Sequence, residues 1–304
     1  MTNIQKPFLK WVGGKSKLLQ YISPKFPKNV KNYHEIFLGG GSVLFALLTM
    51  QKNNEICVEN NIYAYDINQP LINTYQQIKN NLSNVIKKLK EFKDEFTSIE
   101  INTHGIKRHT PDVNDENYKE TREHYYYYIC SKFNKCLKNS VVCAAYFIFL
   151  NKTGFRGMYR ENNNGLYNIP YGLKDTNKIP SIFDEDELKK INKLIQNVKF
   201  RCISFDKSLS KVKSGDFVYL DPPYAPENKT SFVKYNKEGF PLKKHNQLFK
   251  TVKELKNIKF IMSNSNVELV NGAFETYNIQ HIIARRAINS KDPSSTAKEV
   301  IIYN

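Results

Sequence analysis

Apolar positions along this chain follow two periods, and the changes between them mark its organisation. Short apolar runs bounded by turn residues read as buried strands at Tyr33–Phe37, Ile62–Asp66, Val198–Cys202, Asp216–Leu220, Lys259–Met262 and Glu299–Tyr303, with helical spacing between the later ones. After the first strand, Leu38-Gly-Gly-Gly-Ser42 forms a turn, and Val43–Met50 then carries apolar residues at helical spacing. The second strand ends in a carboxylate, Asp66, about 25 residues beyond the glycines, a spacing typical of α/β nucleotide folds. Ile67-Asn-Gln-Pro70 opens a further helix. From about residue 71 to 150 the pattern is helical, polar and lysine-rich, closing with an apolar helix from Val141. Asn151–Gly172 is different in kind: glycines and Pro170 alternate with Asn, Arg and Tyr, which predicts an ordered surface loop.

The ends of the chain are therefore α/β and its middle is not. This predicts one α/β domain built from residues 1–70 and 178–304, interrupted by a helical domain over 71–177 that carries the loop 151–172. No internal repeat is present.

Composition adds a partner class. With 40% hydrophobic residues, 304 residues can bury a full core, and a formal net charge of +17 draws the protein toward polyanions. Nucleic acid is the commonest such partner and an anionic membrane surface the second, while the abundance of Lys, Asn, Ile and Tyr offers a purely compositional origin for the charge. The lysine run Lys87–Lys93 reads as a solvated helix face. Five cysteines lack any C-x-x-C pair and six histidines show no ligand spacing, so reduced thiols and no metal are expected. Val141–Leu150, the longest apolar run, is about half a membrane span, and the N-terminus lacks an apolar leader. A soluble cytoplasmic protein with no membrane contact is expected.

Asp221-Pro222-Pro223-Tyr224 follows directly on an apolar strand, hence at a carboxyl edge, where open α/β sheets bind their ligands. Proline lacks an N–H, so the segment presents only acceptors on a stiff backbone. Such a site suits an amino group with two protons to donate, one to the Asp221 carboxylate and one to the Pro222 carbonyl. The lone pair of an aromatic amine is delocalised into its ring, and these acceptors favour a pyramidal, nucleophilic nitrogen. A carboxylate placed beforehand also stabilises the positive charge that grows on nitrogen as it attacks a methyl group. Tyr224 can stack on the base, worth about 1–3 kcal/mol.

Taken in order, Lys10-Trp-Val-Gly-Gly-Lys15, Phe37-Leu-Gly-Gly-Gly-Ser42, Tyr65-Asp-Ile-Asn68, Asn151-Lys-Thr-Gly-Phe155, Asn168-Ile-Pro-Tyr-Gly172, Asp221-Pro-Pro-Tyr224 and Ser263-Asn264 resemble the motifs of the Dam family of DNA adenine N6-methyltransferases, in the arrangement called class alpha. The resemblance implies a Rossmann-like S-adenosylmethionine-dependent methyltransferase sheet with an inserted helical target-recognition domain. It implies base flipping in double-stranded DNA, direct SN2 transfer to adenine N6, and S-adenosylhomocysteine as the second product. Carried over residue by residue, it implies that Trp11, Lys15, Phe37, Gly39, Asp66, Ser204 and Asp221 line the cofactor site. Asp221, Pro222 and Tyr224 would be catalytic. Lys10, Phe155, Arg156, Met158, Tyr159, Arg160 and Arg286 would meet DNA, with Phe155 wedging into the duplex and Arg160 reading a guanine through O6 and N7.

Two departures stand out. Ile36 replaces the proline usual before the motif phenylalanine, and Arg156 stands where GATC-reading members commonly carry asparagine, so GATC and CATG both remain open as targets. Methylation of an RNA base or a protein amide, and a DNA-binding or restriction partner without activity, are the competing readings; the inserted basic domain favours duplex DNA. A monomer or weak dimer is expected, with a cognate restriction endonuclease as an open partner, in a prokaryotic, phage or viral-factory setting.

Overall fold

A computed structural model describes residues 4–99, 117–172, 181–226, 240–285 and 296–304. Seven strands, β1 (Asn29–Glu35), β2 (Cys57–Asp66), β3 (Val198–Cys202), β4 (Phe217–Leu220), β5 (Lys259–Ser265), β6 (Asn278–Arg285) and β7 (Thr296–Tyr303), form one sheet in the order β3-β2-β1-β4-β5-β7-β6. The pairings from β3 across to β5 are parallel, and β7 runs antiparallel between β5 and β6. The α/β expectation thus becomes a mixed, mostly parallel seven-stranded sheet of Rossmann-like methyltransferase type. All four residues of β4 are buried, as a central parallel strand covered on both faces requires. The sequence order reverses between β1 and β4, which makes their carboxyl ends the switch point where such sheets hold ligands.

Apolar spacing predicts no strand over the β6 segment. β6 is an edge strand with β7 as its one partner, and Ile283 is exposed on it, so the alternation of burial is weak in the sequence.

By contacts the chain divides into two compact units. One comprises Met1–Lys6, Gly13–Ile67 and Asn197–Asn304; the other comprises Pro7–Val12 and Asn68–Gln196. The helical unit thus runs further than residue 177, and its own contacts explain why. The Asn192 amide donates to the carbonyls of Ile78 and Lys79, and Lys90 pairs with Glu185, which fastens the Glu185–Leu194 helix to the helices before it. Pro7–Val12 joins through Phe8, whose ring meets Tyr75 edge-on, and through Lys10, whose backbone is gripped by the Asn151 amide.

Local signals account for the helices of this unit. Asn68 caps Gln69–Asn80 by accepting from the Leu71 amide, with Pro70 in the first turn, and Ser140 does the same for Val141–Thr153 at the Cys143 amide. The latter helix is buried on nearly every side, which is why its sequence is apolar without an amphipathic stripe. Among the described residues, no helix is long and apolar enough to cross a membrane.

Candidate active site

Two loops at the carboxyl edge of the sheet build the site. After β1 the chain turns through Phe37-Leu38-Gly39, and the turn needs glycine because φ is +50° at Gly39 and +73° at Gly41. The end of β2 fixes it: Leu38 N–H donates to the Tyr65 carbonyl at 2.8 Å, and Gly39 N–H to Asp66 Oδ2 at 3.0 Å. Phe37 faces Phe205 and Phe240 with ring centroids 6.0 and 6.1 Å away, and Ser204 stands just before the short helix that Phe205 begins. A strand-end carboxylate, a glycine turn with Leu44 where a dinucleotide fingerprint has its last glycine, and an aromatic cluster form a set suited to a nucleoside without a pyrophosphate.

The second loop leaves β4. Lys15 Nζ lies 2.7 Å from Asp221 Oδ2, donates to the Gly13 carbonyl at 2.5 Å, and stands 4.8 Å above the Tyr224 ring. The other carboxylate oxygen, Asp221 Oδ1, is buried and has no hydrogen-bond partner among the described residues. Burial pushes the Asp221 carboxyl upward from its ordinary pKa, and the neighbouring Lys15 ammonium opposes that. Pro222 is buried and Pro223 exposed. Downstream, Ala225 N–H donates to Asn264 Oδ1 at 3.0 Å and Ser265 Oγ to the Ala225 carbonyl at 2.5 Å, so the end of β5 holds the tetrapeptide from behind.

Two acids that the sequence reading did not single out belong to this neighbourhood. Glu35, the last residue of β1, accepts from Tyr33 Oη at 2.7 Å, and burial raises its pKa to about 8, aided by the Asp221 charge. It is therefore protonated near neutral pH. Glu299 of β7 accepts from Tyr224 Oη at 2.7 Å. Glu35 stands at the buried end of β1 and Glu299 beside the apolar Val300–Ile302, and an acid at such a position is the one signal by which the sequence could have flagged them.

In the helical unit, the loop 151–172 is closed at its base. Phe155 N–H donates to the Pro170 carbonyl and Gly172 N–H to that of Thr153, both at 2.9 Å, and Gly154 and Tyr171 bridge antiparallel. A Cβ on Gly172 would lie 2.3 Å from the Phe155 nitrogen, so only glycine passes there. Beyond the base the chain is strained: Arg156 has φ +57° and Gly157 φ +66°. The Arg156 guanidinium sits 5.2 Å from the centre of the exposed Phe155 ring. Arg160 is exposed, with Nε donating to Asn168 Oδ1 at 2.9 Å. Met158 and Tyr159 are half-buried against Phe133, Phe147 and Tyr167, and the Tyr159 hydroxyl donates to Glu161. Lys10 Nζ donates to the Lys152 carbonyl.

The sequence-derived cofactor set is thus divided between the units. Lys15, Phe37, Gly39, Asp66, Ser204 and Asp221 belong to the unit with the sheet; Trp11 belongs to the helical unit, where its ring lies 6.5 Å from that of Phe147. Arg286 lies outside the described residues; Arg285 before it closes β6. Among the described residues, no group of three or more His, Cys, Asp and Glu side chains is placed to hold a metal ion.

Comparison with known proteins agrees with this edge chemistry. The family model for D12 class N6 adenine-specific DNA methyltransferase matches residues 11–288. The type II methyltransferase M.MjaIII of Methanocaldococcus jannaschii is 38% identical over 297 residues, covering 94% of this chain and 93% of its own. M1.LlaDCHI of Lactococcus lactis subsp. cremoris, also a type II methyltransferase, is 30% identical over 98% of this chain and 95% of its own. A DNA adenine methylase of Haemophilus influenzae is 29% identical, with 96% and 91% covered.

Proposed function

This chain belongs to the D12 class N6 adenine-specific DNA methyltransferases, a family that uses S-adenosylmethionine, and from that premise we propose how its residues divide the work. S-adenosylmethionine, when bound, supplies an electrophilic methyl group on a sulfonium and leaves as S-adenosylhomocysteine. Asp66 holds its ribose hydroxyls, while Phe37, Gly39 and Ser204 line its place with Lys15 and Trp11.

The target adenine leaves the helix and stacks on Tyr224. Its amino group donates one proton to Asp221 Oδ1 and the other to the Pro222 carbonyl. Lys15 favours the ionised form of Asp221 against the cost of its burial. As the new N–C bond forms, positive charge grows on N6 beside that carboxylate, which is the place where a fixed negative charge lowers the barrier most. The nitrogen then gives up its proton, for which Asp221 is the nearest base. The observation that carries this reading is the buried Asp221 Oδ1, without a hydrogen-bond partner among the described residues, at the strand edge beside a tyrosine ring.

The loop supplies the address. Phe155 enters the gap left by the flipped base, Arg160 reads a guanine, Met158 and Tyr159 contact thymine methyl groups, and Lys10, Arg156 and Arg286 complete the DNA surface of a GATC or CATG type target. The type II names of the relatives support a cognate restriction endonuclease as partner; the chain itself acts as a monomer or weak dimer.

The purified protein, given S-adenosylmethionine labelled in its methyl group and duplex DNA, should yield labelled N6-methyladenine on hydrolysis of the DNA. Label found in cytosine, or absent from DNA carrying both GATC and CATG, would overturn the proposal.

A further inference from the structure

The ring of Tyr224 is held at both ends. Its backbone is fixed through Ala225, whose N–H and carbonyl are bound by Asn264 and Ser265 at the end of β5. Its hydroxyl, half-buried with the ring, donates to Glu299 Oε2 at 2.7 Å. The two anchors are coupled, because Glu299 of β7 pairs directly with Ser265 of β5 in the antiparallel ladder. Lys15 covers one face of the ring from 4.8 Å while pairing with Asp221. In its strand Glu299 stands between the exposed Lys298 and the fully buried Val300, Ile301 and Ile302, and the ladder would be served as well by an apolar residue in its place. A half-buried carboxylate there has a cost, and Tyr224 is its hydrogen-bond partner.

We propose that Glu299 is a positioning residue for methyl transfer: by accepting from the Tyr224 hydroxyl it fixes the plane on which the target adenine stacks. This rests on the reading of Asp221-Pro222-Pro223-Tyr224 as the catalytic segment. A phenol tethered only through Cβ turns about two side-chain torsions, and the stacked base turns with it. Held also at Oη, the ring keeps the amino nitrogen in line with the reacting methyl, where a displacement of about 1 Å is enough to cost roughly 10²-fold in rate. The hydrogen bond has an electronic effect in the same direction. Donation to a carboxylate enriches the ring in electron density, which improves its attraction for a cation at its face, first Lys15 and then the nitrogen that becomes positive.

The test is a double-mutant cycle in single-turnover methylation of a duplex oligonucleotide, with Tyr224→Phe, Glu299→Ala, Glu299→Gln and the two Tyr224→Phe combinations. Glu299→Ala is expected to lower the methylation rate constant about 10- to 100-fold, with dissociation constants for DNA and S-adenosylmethionine changed less than about 3-fold. Glu299→Gln, which keeps an acceptor of the same shape, should recover most of the rate and also covers the case in which Glu299→Ala fails to fold. In the Tyr224→Phe background either change at 299 should have no further effect. Multiplicative losses in the double mutants, or a loss confined to cofactor affinity, would overturn the role. A wild-type protein that leaves adenine unmethylated would instead remove the reading beneath it, so the two failures are distinguishable.

Discussion

The edge of the sheet and the loop of the helical unit are both rich in charge, yet they hold it in opposite ways. At the edge the ionic groups are buried or half-buried, and one acceptor oxygen of Asp221 is left without a donor among the described residues. On the loop the charged and polar groups are exposed or half-exposed and already satisfied by one another: Arg160 by Asn168, Tyr159 by Glu161, Arg156 against the Phe155 ring. An unmet buried acceptor is a standing demand for one kind of ligand, and its removal costs rate. Satisfied surface groups must exchange one partner for another, so their removal costs discrimination.

The largest effect should come where the demand is strongest. Asp221→Ala is expected to lower methyl transfer by at least about 10³-fold in single-turnover assays while DNA affinity, read by fluorescence anisotropy, stays within about 3-fold. Retained turnover would erase the difference between the regions.

The second effect concerns Glu35, whose folded pKa of about 8 lies above its ordinary 4.5. Between those values the folded protein holds a proton that the unfolded chain has released. Its contribution to stability is therefore full at low pH and is lost as pH rises through the window, at up to about 1.4 kcal/mol per pH unit. Glu35→Gln should flatten that part of the pH dependence in urea unfolding. An unchanged slope would mean that Glu35 does not titrate there.

On the loop the changes are smaller. Arg160→Ala should relax selection at one base pair by about 1–3 kcal/mol, measured as a ratio of kcat/KM values on substituted oligonucleotides. A uniform loss across all sequences would make it a phosphate contact instead. Smallest of all, Arg156→Gly should stabilise the fold by about 1 kcal/mol, since glycine accepts the positive φ that arginine resists. A destabilisation would show that the guanidinium stacked on Phe155 outweighs the strain.

The contrast also governs what could be read from the chain. Six of the seven strands announce themselves through apolar runs, and the glycine turn, Asp66 and Asp221 are visible because each sits where a strand pattern stops. Glu35 and Glu299 are not legible in this way: an acid in a strand looks like an interruption until the fold buries it beside its partner, Tyr33 two residues back on the same strand for Glu35 and the distant Tyr224 for Glu299. On the loop, residue types suggest contacts, but which side chains bind each other is decided by a fold that residue spacing does not encode. The half-buried Tyr159 and the Asn168 clasp on Arg160 are of this kind. The helical unit ends later than the loop because the Asn192 amide reaches two carbonyls more than a hundred residues back, a distance over which periodicity carries no information.

The clamp at the foot of the loop, where Gly154 meets Tyr171 and Gly172 fits against Phe155, has a consequence for descent. Because entry and exit are pinned to each other, residues between them can be replaced, or their number changed, with little disturbance to the helices beneath, for closing a slightly longer loop adds only about 0.6 kcal/mol per doubling of its length. On the proposed reading of the loop as the address, a lineage that preserves Gly154 and Gly172 can trade one target sequence for another as a cassette, leaving the machinery of transfer untouched.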